Sequence, residues 1–286
     1  MNWEGYYDKN RFWNHPEWKC LGGERLRKTA CFYKNDVNIY FDSSDGVNED
    51  LGIEEGTWRI EKIIEECNGK PFIVFKSSFS KVYSKPLVDL ARKNNGDVVP
   101  HFLWSFYDGM KGMIQDPLKY EKMQEETEMV YDIGFNASLE PYTYPNPDGG
   151  EELIINTRQD LYEKLMNSRF KFFFSAERKS FDEYMKDMFR CKLVLNVPGV
   201  GEYTGRILEA CMMEKAIVSR KNTYDNALGY KHHFAEVDFN ADDWEDQLQK
   251  ILDEYKHWEY MSATYWHVVY AGNGQQEYVE DVLKSI

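Results

Sequence analysis

The chain has 286 residues, with 49 Asp and Glu against 35 Lys and Arg and a formal net charge of −14. That length exceeds the common size of one domain, so two are expected, and it allows a large core without covalent staples. The acidity and the lack of any basic stripe exclude long nucleic acid and anionic membrane as partners, whereas a small anion such as a nucleotide diphosphate needs only one local positive site.

In chain order, VNIYF (37–41) reads as a strand. TWRIEKIIEEC (57–67) reads as a helix with Trp58, Ile60, Ile63 and Ile64 on one face. FIVF (72–75) is a buried strand, and PLVDLARK (86–93) a helix with proline at its first turn. VVPHFLW (98–104) is a strand that Pro100 marks as an edge or a bulge. DPLKYEKMQEETEMVY (116–131) is a helix capped by Asp116. The pattern then restarts. DIGFNAS begins a strand, PYTYPNPDGGEE (141–152) is a turn-rich loop, and Thr157 starts a helix. FKFFF (170–174) is a strand, Ser180 caps a helix, and KLVLNV is the next strand. A helix over EYTGRILEACMMEK, the strands AIVS and HFAEV, and a helix over DDWEDQLQKILDEY follow, and the remaining residues read as helical and aromatic. Strand and helix alternating in two runs predict an α/β protein of two doubly wound domains, residues 1–130 and 131–286, the C-terminal helices being able to cross back to the first.

The five cysteines, Cys20, Cys31, Cys67, Cys191 and Cys211, are odd in number and contain no C-x-x-C, which fits free thiols in a reducing compartment. No apolar run approaches the ~18 residues of a membrane span, and MNWEGYYDKNRFW lacks the apolar stretch of a signal peptide. A cytoplasmic protein without an integral membrane segment is expected.

The stretch LNVPGVGEYTGRILEACMMEKAIVS (195–219) is the most informative. A glycine loop after a parallel strand lies at the carboxyl end of the sheet, where ligands bind. Backbone N–H groups of Gly199, Gly201 and the helix start near Tyr203 and Thr204 can receive a phosphate at the positive end of the helix dipole. Arg206 can donate twice to a diphosphate, and Glu209, three residues on, can accept from a ribose diol. A surface ion pair beside an ordinary turn is the plain alternative. The spacing is neither G-x-G-x-x-G nor a Walker A loop.

Gly201, Thr204, Arg206, Glu209, Ala210 and the following AIVS resemble the donor-binding half of glycosyltransferases with two Rossmann-like domains facing a cleft, the GT-B fold. The layout is similar to exostosin-like transferases and to the glycosyltransferase group 1 domain, over roughly residues 131 to 260. The resemblance implies transfer of a sugar from a nucleoside-diphosphate sugar, expected to be a UDP-sugar, to a hydroxyl of a glycan acceptor, inverting and metal-independent, with the nucleotide sugar as substrate and no cofactor. It implies that Glu209 holds the ribose and that Arg206 and the backbone of Gly201–Thr204 hold the diphosphate. Glu202 stands one position off the first of the two glutamates that many relatives carry. Arg178 is a candidate second positive charge, with Lys179 beside it, and Asp225 and Asn226 are candidates in the loop after the next strand. An inverting transfer needs a general base, for which Asp45, Asp108 and Glu24 are the candidates. His15 and His101 are further possibilities; a retaining transfer would need no such base. Gly22-Gly23 reads as a turn before a helix. There is no D-x-D triplet and no G-x-S-x-G elbow. A nucleotide-sugar epimerase would need G-x-G-x-x-G near the N-terminus, which is absent. The alternative is a catalytically inactive glycan- or nucleotide-binding protein of the same fold.

Overall fold

The structure is a computed structural model. It describes residues 19–20, 29–34, 36–42, 54–76, 79–80, 84–101, 116–140, 142–144, 153–155, 157–197, 205–221, 224–225, 233–271 and 274–285. The protein is α/β, with two five-stranded sheets.

The first sheet is built from β1 (Lys19–Cys20), β2 (Thr29–Lys34), β3 (Val37–Asp42), β4 (Phe72–Lys76) and β6 (Gly96–Pro100), in the order β1-β2-β3-β4-β6. β3, β4 and β6 run parallel, and β1 and β2 are antiparallel additions. Residues 29–34 are therefore strand, not the helix expected after Gly22-Gly23. β6 is the edge strand, which is where a proline that cannot donate to a ladder is tolerated.

Side chains alternate across this sheet. Tyr40, Val74 and Val98 face α1 (Glu54–Cys67) and α2 (Lys85–Lys93), burying Ile60, Ile63, Leu87 and Ala91. Trp58 does not join that face; it is 48% exposed, beside the Arg59 guanidinium at 5.9 Å. Ile39, Phe41, Ile73 and Phe75 face the other way and pack against Val279 of α9 (Gly274–Lys284). The Tyr278 hydroxyl donates to the Pro100 carbonyl at 2.9 Å, fixing this helix to the edge strand.

The second sheet is wholly parallel: β7 (Tyr131–Asn136), β10 (Phe172–Ser175), β11 (Cys191–Asn196), β12 (Ala216–Arg220) and β14 (Ala235–Val237), in the order β10-β7-β11-β12-β14. Its near-continuous apolar strands are those of a sheet covered on both faces. One face carries α3 (Pro117–Glu126), α5 (Phe181–Phe189), α6 (Gly205–Met212) and α8 (Tyr255–Tyr265). The other carries α4 (Thr157–Met166) and α7 (Trp244–Asp253). Asp116 caps α3 by accepting from the Lys119 N–H, and Ser180 caps α5 in a capping box with Glu183. α3 ends at Glu126, earlier than its periodicity suggests, because Thr127 turns extended and Tyr131 already belongs to β7. Residues 142–144 (β8), which fall in the stretch expected to be loop, pair with residues 153–155 (β9), just past it, as an antiparallel ribbon.

Two short strands join the halves. β5 (Phe79–Ser80), just past β4, pairs antiparallel with β13 (Tyr224–Asp225), just past β12. Among the described residues no helix is long and apolar enough to cross a membrane, and Cys67, Cys191 and Cys211 are free and buried.

Candidate functional site

The chain visits the second sheet as β7, β10, β11, β12, β14. β10 therefore lies on one side of β7 and all later strands on the other. This order reverses between β7 and β11. In an open parallel sheet the crevice beyond the carboxyl ends at that reversal is the ligand position.

Arg206 occupies it. Its Nη2 donates to the carbonyl of Asn136, the last residue of β7. Its Nη1 donates to the carbonyl of Leu195, near the end of β11, at 3.4 Å. The guanidinium also lies 5.3 Å from the Phe135 ring centroid, a cation–π contact. One side chain in the first turn of α6 thus spans the two strands that part at the switch point.

Glu209 follows one turn later and is 3% exposed. Its Oε2 accepts a hydrogen bond from the Tyr184 hydroxyl of α5. Among the described residues it makes no ion pair. Burial pushes its carboxyl from the ordinary glutamate value of 4.5 up to about 8. Burial also raises the Tyr184 phenol, with the Arg206 guanidinium working in the opposite direction.

Gly134, Asn136, Tyr184, Asp187, Met188 and Arg206 line a cavity of about 10 Å³, the space of about one water. Among the described residues the buried Nε of Arg206 and Oδ1 of Asn136 make no hydrogen bond, so one donor and one acceptor remain at this cleft. Gly134 is required by close approach: a Cβ there would stand 2.3 Å from the Cys191 sulfur. Burial pushes the Cys191 thiol up to about 12, so it lines the cavity as a protonated thiol rather than as a nucleophile.

The raised Glu209 value carries a stability consequence. The folded chain keeps a proton that the unfolded chain releases, so this contribution is fully present below about pH 4.5 and is lost as the pH rises through about 8. At about 1.4 kcal/mol per pKa unit the effect amounts to a few kcal/mol. Glu209→Gln, which cannot ionise, is expected to gain on the wild type by that amount between pH 5 and pH 9 in urea unfolding. A difference that stays constant across this range would show that the carboxyl is ionised throughout.

The remaining sequence candidates separate into those the structure describes and those it does not. Arg178 is exposed, beyond the carboxyl end of β10. Its neighbour Lys179 is engaged with Asp187 at 2.6 Å. Asp225 lies in β13, its backbone opposite Phe79. Gly199, Gly201, Tyr203, Thr204 and Asn226, and the candidate bases Asp45, Asp108 and Glu24, lie outside the described residues. His101 follows β6 and is 1% exposed, with its ring edge-on to Phe41 at 5.2 Å and to Phe75 at 5.5 Å, which is the position of a core ring.

Sequence reasoning missed two arrangements. Tyr184 belongs to the apolar face of α5, and only the packing of α5 beside α6 brings its hydroxyl to Glu209. Asp42 and Lys76 end the neighbouring strands β3 and β4, opposite one another in register, and form an ion pair at 3.1 Å with side chains 2% and 1% exposed. Charges at the last position of two apolar strands were the available signal. Among the described residues no group of three His, Cys, Asp or Glu side chains could hold a metal ion.

No protein-family model matches the chain, and no curated protein matches it.

Proposed function

We propose that the chain is a glycosyltransferase of the two-domain GT-B kind, moving a sugar from a nucleoside-diphosphate sugar, a UDP-sugar by preference, to a hydroxyl of a glycan acceptor. The observation that carries this reading is the Arg206 guanidinium held across the carboxyl ends of β7 and β11 at the strand-order reversal. A cation fixed there, at the start of a helix whose dipole is positive at that end, suits a leaving diphosphate. The backbone of Gly199, Gly201, Tyr203 and Thr204 would complete the seat. Glu209, one turn along α6, would meet the ribose, and Arg178, Asp225 and Asn226 would border the donor. The unbonded Arg206 Nε and Asn136 Oδ1 support a polar occupant of this crevice.

The β5–β13 pairing supports a cleft between the halves, because it joins the segments that follow the carboxyl ends of β4 and β12. The acceptor would enter from the first half, where Asp45, Asp108 or Glu24 would take the proton of its hydroxyl in an inverting, metal-independent transfer. Buried free thiols agree with work in the cytoplasm.

A second reading, a binding protein of the same fold without transfer, is favoured by the two guanidinium donors given to backbone carbonyls and by the burial of Glu209. Titration of the protein with UDP, GDP and ADP by calorimetry tests the site itself. One nucleotide is expected to bind at micromolar concentration, UDP before the others. The absence of heat for all three up to millimolar concentration would sink both readings of the site.

A further inference from the structure

Tyr184 and Glu209 meet across two helices that pack on the same face of the second sheet. The phenol donates its one proton to Oε2, which fixes the plane of the carboxyl and leaves Oε1 to other partners. Tyr184 and Arg206 line the same small cavity, so the group that orients Glu209 sits beside the group that reaches the switch point.

Several charged and titratable groups on the surrounding elements have partners of their own. On α5, Asp187 takes Lys179 at 2.6 Å. On β11, Lys192 takes Asp132 at 3.1 Å, and Cys191 is a protonated thiol. Before β12, Lys215 takes Glu259 of α8 at 3.6 Å. After α8, His267 lies 3.9 Å from Glu214, and within α6 itself Cys211 is buried and protonated. Arg220 ends β12, and Tyr265 of α8 is buried against Phe234. Among the described residues the Tyr184 phenol is the hydrogen-bond partner of the Glu209 carboxyl, and burial is what raises that carboxyl.

We propose that Tyr184 is a positioning residue for Glu209 and that a nucleotide seated at this site displaces a proton from the Glu209 carboxyl. The inference rests on the reading above, in which a ribose diol meets Glu209. A buried carboxyl with a single hydrogen bond favours its neutral form, whereas a carboxylate accepting two diol hydroxyls and the phenol favours its ionised form. As the diol arrives, the carboxyl O–H bond breaks, its electron pair stays on the oxygen, and the proton passes to solvent. The phenol stays in place and keeps both oxygens turned toward the diol.

The experiment is calorimetry of UDP binding in buffers of different ionisation enthalpy, with wild type, Glu209→Gln, Tyr184→Phe and the double variant. At pH 7 the wild type is expected to release close to one more proton than Glu209→Gln, and the excess is expected to fall away by pH 9. Tyr184→Phe is expected to weaken UDP about tenfold in the wild-type background and hardly at all in the Glu209→Gln background, where there is no carboxylate to orient. Equal proton counts for wild type and Glu209→Gln overturn the inference, as does an equal loss from Tyr184→Phe in both backgrounds; in either case UDP binding itself leaves the proposed function standing. No binding of UDP, GDP or ADP to the wild type removes that function and the inference together. Should Tyr184→Phe fail to fold, the comparison of wild type with Glu209→Gln decides alone.

Discussion

Arg206→Ala is expected to lower kcat/KM for sugar transfer by about 10²- to 10³-fold, the usual cost of removing one fixed donor from developing negative charge. Among the described residues the guanidinium is the one cation that bonds to the ends of both β7 and β11. Nucleotide affinity is expected to fall with it, since the same charge would hold the diphosphate in the ground state. The variant also loses two hydrogen bonds to backbone carbonyls, so some stability goes too, about 1 kcal/mol for each bond. Thermal unfolding of the variant separates this loss from the loss of activity. If the protein transfers sugar, activity collapses while glycan binding persists. Transfer left intact in a folded Arg206→Ala protein would remove the diphosphate seat from the proposal, and a wild type that binds UDP yet transfers nothing would favour the inactive binding protein.

The second large effect lies in the first half. Lys76→Met removes the ammonium that pairs with the buried Asp42 carboxylate, and removal of one member of a buried pair costs about 3–5 kcal/mol. The side chains are 1% and 2% exposed, so water has little access to the missing role. The double replacement Asp42→Leu with Lys76→Met removes both charges and is expected to recover most of the loss, since apolar groups of similar size at such a site are commonly neutral or better. Urea unfolding midpoints at pH 7 check both statements. A Lys76→Met protein within about 1 kcal/mol of the wild type would mean that the pair is solvated rather than buried.

The parts of the fold legible in the sequence are those with strong local pattern. The apolar runs 37–41, 72–75 and 216–219 and the caps Asp116 and Ser180 lie where periodicity and capping chemistry place them. β2 was illegible because Thr29–Lys34 owes its strand to the neighbour β3, six backbone pairs along its length, and not to alternation of its own. The ribbon of β8 and β9 was hidden by the turn residues between its strands. In the site, Arg206 and Glu209 could be singled out because their spacing on one helix is local. Tyr184 could not, because its partner lies 25 residues away and only the seating of α5 beside α6 joins them. Asp42 and Lys76 are 34 residues apart, and their pairing follows from the register of two strands, which no local pattern encodes.

The position of α9 bears on how the chain reaches its folded state. One face of the first sheet, with Phe41 and Phe75, is covered by Val279 and its neighbours. Those residues leave the ribosome only after the whole second sheet has been made. Among the described residues, the partners of Phe41 and Phe75 on this face from outside the first half come from this helix, and a fragment ending before residue 274 lacks them. Closure of this face therefore waits for residues made after the second sheet, and transiently exposed apolar strands of this kind are prone to aggregate during synthesis.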